Sequence, residues 1–245
     1  MWSACVNLDA TKAATGGGDS VAKFWDATTG TELRSFDHKH IVKGVALDSA
    51  TTRLATACSD KHVRVFDVTD GGSSASPLLD VALTGACRSV LWSADDSALL
   101  VPAFDKLYKV DVASGTASDP VSLGGEVQDM AWVGPSSAGQ LCLAAGKNAV
   151  FVDTHKMAIT ASHKLDYVLE SVAAHPAHPE YFLTGGKDHV WVQAHSMKDG
   201  SVVTQLDGHH GPVHVVRFTN EGDRFVTGSD DSTVRIWSVN SILPE

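Results

Sequence analysis

No apolar run in this chain approaches the ~18 uninterrupted residues that a membrane-spanning helix needs. No basic-then-apolar leader opens it. Neither membrane insertion nor secretion is therefore expected. Cysteine is sparse: 4 among 245 residues, at Cys5, Cys58, Cys87 and Cys142. They form no CxxC pair and no zinc spacing. Each lies in an apolar, strand-like stretch, which predicts four buried thiols in a reducing compartment. Positive charge is short as well. The 19 Lys and Arg face 29 Asp and Glu, for a net charge of −10, a poor general match to a phosphate backbone. Sustained 3.6-residue apolar periodicity is missing, so the chain does not read as helical. Yet 43% of residues are hydrophobic and 20% charged, a globular composition.

What is present is repetition, with a period near 42 residues. The last unit is the clearest. It runs Gly208-His209, then Pro212 to Phe218, then Phe225 to Asp231, then Thr233 to Trp237. The second unit has Val42 to Leu47, Leu54 to Asp60 and Val63 to Asp67; the first has Met1 to Val6, Ala13 to Asp19 and Ala22 to Asp26. Weaker copies end at Asp111, Asp153 and His195. Apolar and polar residues alternate within each run, as in a strand, and Gly, Asp, Asn and Ser punctuate them. A more polar fourth strand fits between units, over 32–36, 78–83, 117–123, 157–162 and 201–206. Four strands per repeat with GH and WD signatures describe the blade of a WD40 β-propeller. The expected fold is all-β and occupies 1–245 as one domain, with repeats near 1–36, 37–84, 85–124, 125–165, 166–207 and 208–239.

Six units supply eighteen inner strands and five connections supply five outer ones, one short of six full blades. Either residues 240–245 improvise an edge, or the chain is an N-terminally truncated form of a seven-bladed propeller. The count favours truncation. Unpaired sheet edges would otherwise invite aggregation.

The signature has chemical content. In a WD40 blade the GH histidine, a second-strand Ser or Thr, the turn Asp and the third-strand Trp form a buried hydrogen-bonded chain. The last blade offers His209, Thr227, Asp231 and Trp237. The second offers His38, Thr56 and Asp60, with Phe66 where no indole N–H is available. The third keeps Asp105, the fifth Thr184 and Asp188, and the fourth has Gly146 in place of the acid. These groups read as architectural, not catalytic.

Several runs go further than repeat grammar. Asp9-Ala10-Thr11-Lys12-Ala13-Ala14-Thr15, Ala22-Lys23-Phe24-Trp25-Asp26, His38-Lys39-His40-Ile41-Val42-Lys43 and Gly208 to Trp237 resemble the serine/threonine kinase receptor-associated protein family, also called unr-interacting protein. The ending Ile242-Leu243-Pro244-Glu245 is similar to that family's C-terminus. Residues 87–195 are more diverged. The resemblance implies a non-enzymatic adaptor linked to the SMN complex that assembles spliceosomal ribonucleoproteins, to the RNA-binding protein unr and to TGF-β receptor signalling. The lack of targeting signals and the free cysteines, by contrast, lead to the expectation of a cytoplasmic protein that can also enter the nucleus. The rival is the propeller subunit i of eukaryotic translation initiation factor three.

Binding surfaces of propellers lie on loop faces. One column follows the first apolar residue of each first strand: Trp2, Lys43, Arg88, Gln128, Glu170 and His214. A second precedes the turn acid: Gly18, Ser59, Phe104, Ala145, Lys187 and Asp230. In WD40 folds both lie near one rim of the central channel. Trp, Arg and Phe are interface-prone, so Trp2, Arg88 and Phe104 are the expected anchors.

Other chemistries fit less well. Twelve histidines include His38-Lys39-His40, His175-Pro176-Ala177-His178 and His209-His210 with His214. The GH position explains His38 and His209, a Pro-rich turn holds His175 and His178, and no four-ligand set is completed. No metal or cofactor is expected. Gly16-Gly17-Gly18-Asp19 reads as a turn between strands; no GK[ST] follows it and no GxSxG elbow occurs. Gly71-Gly72-Ser73-Ser74 reads as a flexible connection. Lys39, Lys43 and Arg88 make too thin a basic patch for direct nucleic-acid binding.

Overall fold

A computed structural model describes residues 1–69, 76–219 and 221–242. The Gly71 to Ser74 connection and Leu243 to Glu245 lie outside the described residues. Among those described there are 23 strands, two short 3-10 turns (Ser136–Ala138 and Val239–Ser241) and no α-helix. Two compact units divide them, Met1–Ser122 and Leu123–Glu245.

The first unit holds three antiparallel four-stranded sheets, each strand bonded to the next in sequence. Sheet one is β1 (Ser3–Val6), β2 (Lys12–Gly16), β3 (Val21–Asp26) and β4 (Thr31–Asp37). Sheet two is β5 (Val42–Leu47), β6 (Arg53–Cys58), β7 (His62–Asp67) and β8 (Leu79–Ala82). Sheet three is β9 (Leu91–Trp92), β10 (Ala98–Ala103), β11 (Lys106–Asp111) and β12 (Val121–Ser122). The outer strand expected over 117–123 shortens to β12 and an isolated bridge between Val110 and Ala117.

In the second unit, sheet four is β13 (Val127–Trp132), β14 (Gln140–Ala145), β15 (Asn148–Asp153) and β16 (Ala158–Lys164). Sheet five is β17 (Leu169–Ala174), β18 (Tyr181–Gly186), β19 (Val192–Ser196) and β20 (Val202–Leu206). Sheet six has three described strands, β21 (Val213–Phe218), β22 (Arg224–Ser229) and β23 (Val234–Ser238). Residues 239–241 coil into a turn, so no fourth strand of this sheet is described. Val234 and Ile236 on β23 stand 74% and 67% exposed.

These are WD40 blades, and their core is inter-blade. Phe24 and Phe36 of sheet one pack with Leu54 and Phe66 of sheet two. Val63 and Val65 meet Leu99, Val101 and Tyr108 of sheet three. Phe151 packs with Phe182 across sheets four and five, and Leu183 with Phe225 across five and six. Each fully buried Leu or Phe contributes on the order of 1.5–3 kcal/mol. Middle strand β6 carries apolar residues on both faces because sheet one covers Leu54 and sheet three covers Ala55 and Ala57. Gly44 marks how close the inner strands come: a Cβ there would sit 2.7 Å from the Ser89 backbone.

The residues closing each third strand, Asp26, Asp67, Asp111 and Asp153, have a local cause. Each carboxylate accepts backbone N–H groups two or three residues on, folding the turn into the outer strand. The register corrects one member of that column. Tyr181 pairs with Ser196 as Gln140 pairs with Asp153, so Ser196, not His195, closes the fifth blade. The Ser196 hydroxyl accepts the Lys198 N–H at 3.2 Å in the same role.

Three cysteines, Cys58, Cys87 and Cys142, are buried free thiols. Cys5 is only partly covered, a departure from the expectation of four buried thiols. It lies on the first strand of sheet one, where alternate residues are exposed. Burial pushes Cys87 and Cys142 up to about 12.

Candidate functional site

The buried polar chains come first, because they hold the turns that carry the surface. In blade six Thr227 is fully buried beside His209. The Trp237 indole donates to Thr227 Oγ1 at 2.8 Å. The Thr227 hydroxyl lies 2.6 Å from His209 Nε2, and His209 Nδ1 lies 2.8 Å from Asp231 Oδ2. The Asp231 carboxylate only accepts, so His209 Nδ1 carries the proton; Nε2 of the neutral imidazole then accepts from the Thr227 hydroxyl, whose oxygen accepts the Trp237 N–H. Asp231 also accepts from the Thr233 hydroxyl and the His210 N–H. The Thr233 bond comes first among the causes that hold this carboxyl well below its ordinary range.

Blade two departs from the expected chain. His38 Nε2 meets Thr56 Oγ1 at 2.8 Å, but its Nδ1 donates to the Phe36 carbonyl at 3.0 Å. Asp60 turns instead to Arg64, with Nη2 2.8 Å from Oδ2. A guanidinium opposite Thr56 outcompetes a neutral imidazole for the carboxylate. Burial would raise Asp60, and the bond and charge of Arg64, with the bonds from Cys58 and the His62 N–H, together lower it. Phe66 fills the indole's place, edge-on to His38 at 5.5 Å. Blade one has a short version, with Trp25 Nε1 donating to Thr15 Oγ1 at 2.9 Å.

Blade five holds a chain that the repeat pattern did not reveal. Thr184 Oγ1 lies 2.6 Å from Tyr167 Oη and 3.0 Å from His195 Nε2. His195 Nδ1 donates to the Gly200 carbonyl at 3.0 Å. His195 occupies the position of Trp237, because it pairs with Phe182 as Trp237 pairs with Phe225. Asp188 is exposed and stands outside the chain. In blade three the Thr84 hydroxyl meets Tyr108 Oη at 2.7 Å, and Asp105 stands outside that pair. Gly146, at φ +60, turns the fourth blade without an acid.

The surface columns have a backbone cause. Val42 pairs with Cys58 and Gly44 with Ala57, which leaves Lys43 as the extra residue of a β-bulge. The same irregularity leaves out Gln128, Glu170 and His214 in β13, β17 and β21. A bulge re-aims one side chain out of the ladder, so four of the six positions are bulge residues. Trp2 precedes the first pair of β1, and Arg88 follows the Cys87–Ala103 bridge.

Within the first unit Lys43 Nζ sits 3.1 Å from the centroid of the Trp2 ring, and Trp2 is 56% exposed. Trp2 also covers Gly18, where a Cβ would lie 3.3 Å from the indole nitrogen. Phe104 is 55% exposed and holds a φ of +59, a left-handed backbone unusual for an aromatic residue. Within the second unit the columns meet at His214, whose Nδ1 lies 3.3 Å from Glu170 and whose Nε2 lies 2.9 Å from Asp230. Burial opposes the charge on His214, and the two carboxylates outweigh it and raise its pKa. Gln128 is partly covered, and Lys187 is exposed on the β18–β19 turn.

Sequence reasoning also missed an ion pair inside the second unit. Arg217 grips Asp129 with two bonds, Nη2 to Oδ1 at 2.6 Å and Nη1 to Oδ2 at 2.7 Å. Ser171 donates to Asp129 Oδ2 at 2.5 Å and accepts the Val216 N–H at 3.0 Å. Strands β13, β17 and β21 are thereby joined. Burial would raise Asp129, but Arg217 and Ser171 together lower it. The only sequence signal was an acid and a base on apolar inner strands 88 residues apart. Among the described residues no group of three or more His, Cys, Asp or Glu is placed to hold a metal ion.

Comparisons with known proteins agree with the blades. Residues 30–67 and 200–238 match the family "WD domain, G-beta repeat". The chain is 33% identical over 239 residues to the serine-threonine kinase receptor-associated protein of Gallus gallus, covering 97% of this chain and 66% of that protein. It is 30% identical over 240 residues to the Dictyostelium discoideum protein of the same name, covering 97% and 79%. Against eukaryotic translation initiation factor 3 subunit I of Culex quinquefasciatus it is 24% identical over 265 residues, covering 96% and 80%. The chain thus spans just under two thirds of the length of its bird relative.

Proposed function

The chain belongs to the serine-threonine kinase receptor-associated protein family of WD40 proteins, and from that membership we propose that it is a non-enzymatic scaffold whose bulge columns bind protein partners. The observation that carries the reading is the column itself. In four blades the same backbone device presents a different side chain, Lys43, Gln128, Glu170 or His214, as a specific contact surface requires. In the first unit the contact set is Trp2, Lys43, Arg88 and Phe104; in the second it is Gln128, Glu170, Lys187 and His214. The aspartates of the buried chains shape turns and take no part in chemistry.

The proposed partners are members of the SMN complex, an unr-like RNA-binding protein and components of receptor-kinase signalling, met in the cytoplasm and nucleus. Nucleic acid is reached through those proteins rather than directly. Purifying the tagged chain from its own cells, with mass spectrometry of what accompanies it, tests the proposal. SMN-complex proteins or unr are the expected companions, and Arg88→Ala with Phe104→Ala should reduce their recovery about tenfold or more without lowering Tm. Recovery of initiation factor 3 subunits instead would overturn the proposed partners. Unchanged recovery by the double variant would remove the rim from the mechanism.

A further inference from the structure

Blade five carries a second feature, separate from the bulge columns. A cavity of about 430 Å³ opens beside β19, with Tyr167, His189, Trp191, Gln193 and His195 in its wall. Three of these form an aromatic corner. His189 and Trp191 are stacked, 4.2 Å between centroids and 15° between planes. Tyr167 meets both edge-on, at 5.3 Å and 90° to His189 and at 4.7 Å and 87° to Trp191. The Tyr167 hydroxyl is tied to Thr184 and His195, so its ring cannot turn away. Gly186 makes the corner possible, since a Cβ there would lie 2.9 Å from the Tyr167 ring.

The polar wall is what selects a ligand. Gln193 is 9% exposed. Its Nε2 donates to Gln205 Oε1 at 3.0 Å, while its own Oε1 is buried with no partner. A buried carbonyl oxygen left this way is costly, and an N–H donor relieves it. Asp166, exposed in the same wall, adds a negative charge, and Lys164 stands in the wall with the opposite sign.

We propose that this cavity binds the guanidinium of an arginine side chain on a partner polypeptide. A flat cation lies against stacked aromatic rings, as the His189–Trp191 pair offers. A guanidinium carries the N–H groups that Gln193 Oε1 lacks, and Asp166 balances its charge. A trimethylated lysine would satisfy the rings but bring no donor, leaving Gln193 unpaired. An uncharged apolar side chain would satisfy neither wall.

The test uses the whole chain and two probe peptides, Ac-Gly-Arg-Gly-NH2 and its trimethyllysine counterpart, observed by saturation-transfer NMR and by the indole N–H resonances. The arginine peptide should bind saturably, with Kd in the millimolar range, and shift the Trp191 indole. The trimethyllysine peptide should bind at least about fivefold more weakly. Gln193→Leu should lose about fivefold for arginine while leaving the Trp237 indole in place as a sign of intact folding. Asp166→Asn, at an exposed position, should lose about twofold, and Trp191→Leu should abolish binding. No saturable binding, equal affinity for both peptides, or unaltered affinity in Gln193→Leu and Asp166→Asn would each overturn the assignment. The Arg88→Ala and Phe104→Ala variant should bind the arginine peptide normally, so failure here and failure of the rim are separate results.

Discussion

At the scale of single residues, the buried hydroxyls of the second strands decide how well each turn is held. Thr227 both accepts from Trp237 and donates to His209. Thr227→Val keeps the shape but strands two polar groups, each costing about 1–3 kcal/mol. A fall in Tm of roughly 5 °C or more is expected, and Thr227→Ser should restore most of it. Scanning calorimetry of the pair checks this, and equal melting of the two variants would show the chain to be ornamental. Thiols give a second reading at this scale. Cys5 should react slowly with a thiol reagent in the native protein, while Cys58, Cys87 and Cys142 should react only on unfolding. Two or more thiols titrating at once under native conditions would contradict the packing.

At the scale of strands, the bulges and the Asp129–Arg217 pair do different work. The bulges aim side chains outward, while the pair binds β13, β17 and β21 together. Arg217→Met would leave the Asp129 carboxylate enclosed without its counter-ion. The Arg217 side chain is 41% exposed and Asp129 only 14%. The cost should therefore be about 2 kcal/mol, short of that for a fully enclosed pair. Adding Asp129→Leu should recover much of the loss, since an apolar pair of similar volume needs no counter-ion. Urea unfolding of the single and double variants measures it; a double variant weaker than Arg217→Met would refute the account. His175 and His178 stay where the Pro-rich turn puts them, with His175 Nδ1 accepting the N–H groups of Ala177 and His178 at 3.0 Å.

Across the whole molecule the titrating groups set a direction for stability against pH. Burial lowers the pKa of His38 and of His195. The unfolded chain therefore takes up protons that the native state refuses, and stability is lost as pH falls below about 6.5. Asp129 and Asp48 are also lowered, Asp48 because Arg53 and Thr52 outweigh its burial. Their contribution is present above the ordinary carboxylate range and is lost as pH falls through it toward their native values. His214 acts oppositely: its raised pKa adds stability at low pH that disappears as pH rises through the native value. Above pH 5 the acids stay ionised in both states, so His38, His175 and His195, all lowered by burial, stand against His214 alone and leave a net decline. The urea midpoint should fall steadily from pH 7.5 to 5, and a flat profile would mean that these groups do not bear on folding.

What the sequence determined by itself was local. Alternation along each run, turn residues between runs and a period near 42 were enough for the 23 strands among the described residues and for the blade type. Each depends on residues within one hairpin, where spacing and side-chain chemistry act directly. The GH histidine, Thr227, Asp231 and Trp237 were readable for the same reason, since all lie in one blade. Only the tertiary structure decided the rest. It diverted Asp60 to Arg64, put His195 in an indole's place beside Tyr167, raised bulges under Lys43 and His214, and joined Arg217 to Asp129. Those choices turn on which side chains compete for one buried acceptor and how closely neighbouring blades approach. Neither is written in the order of residues along a single strand.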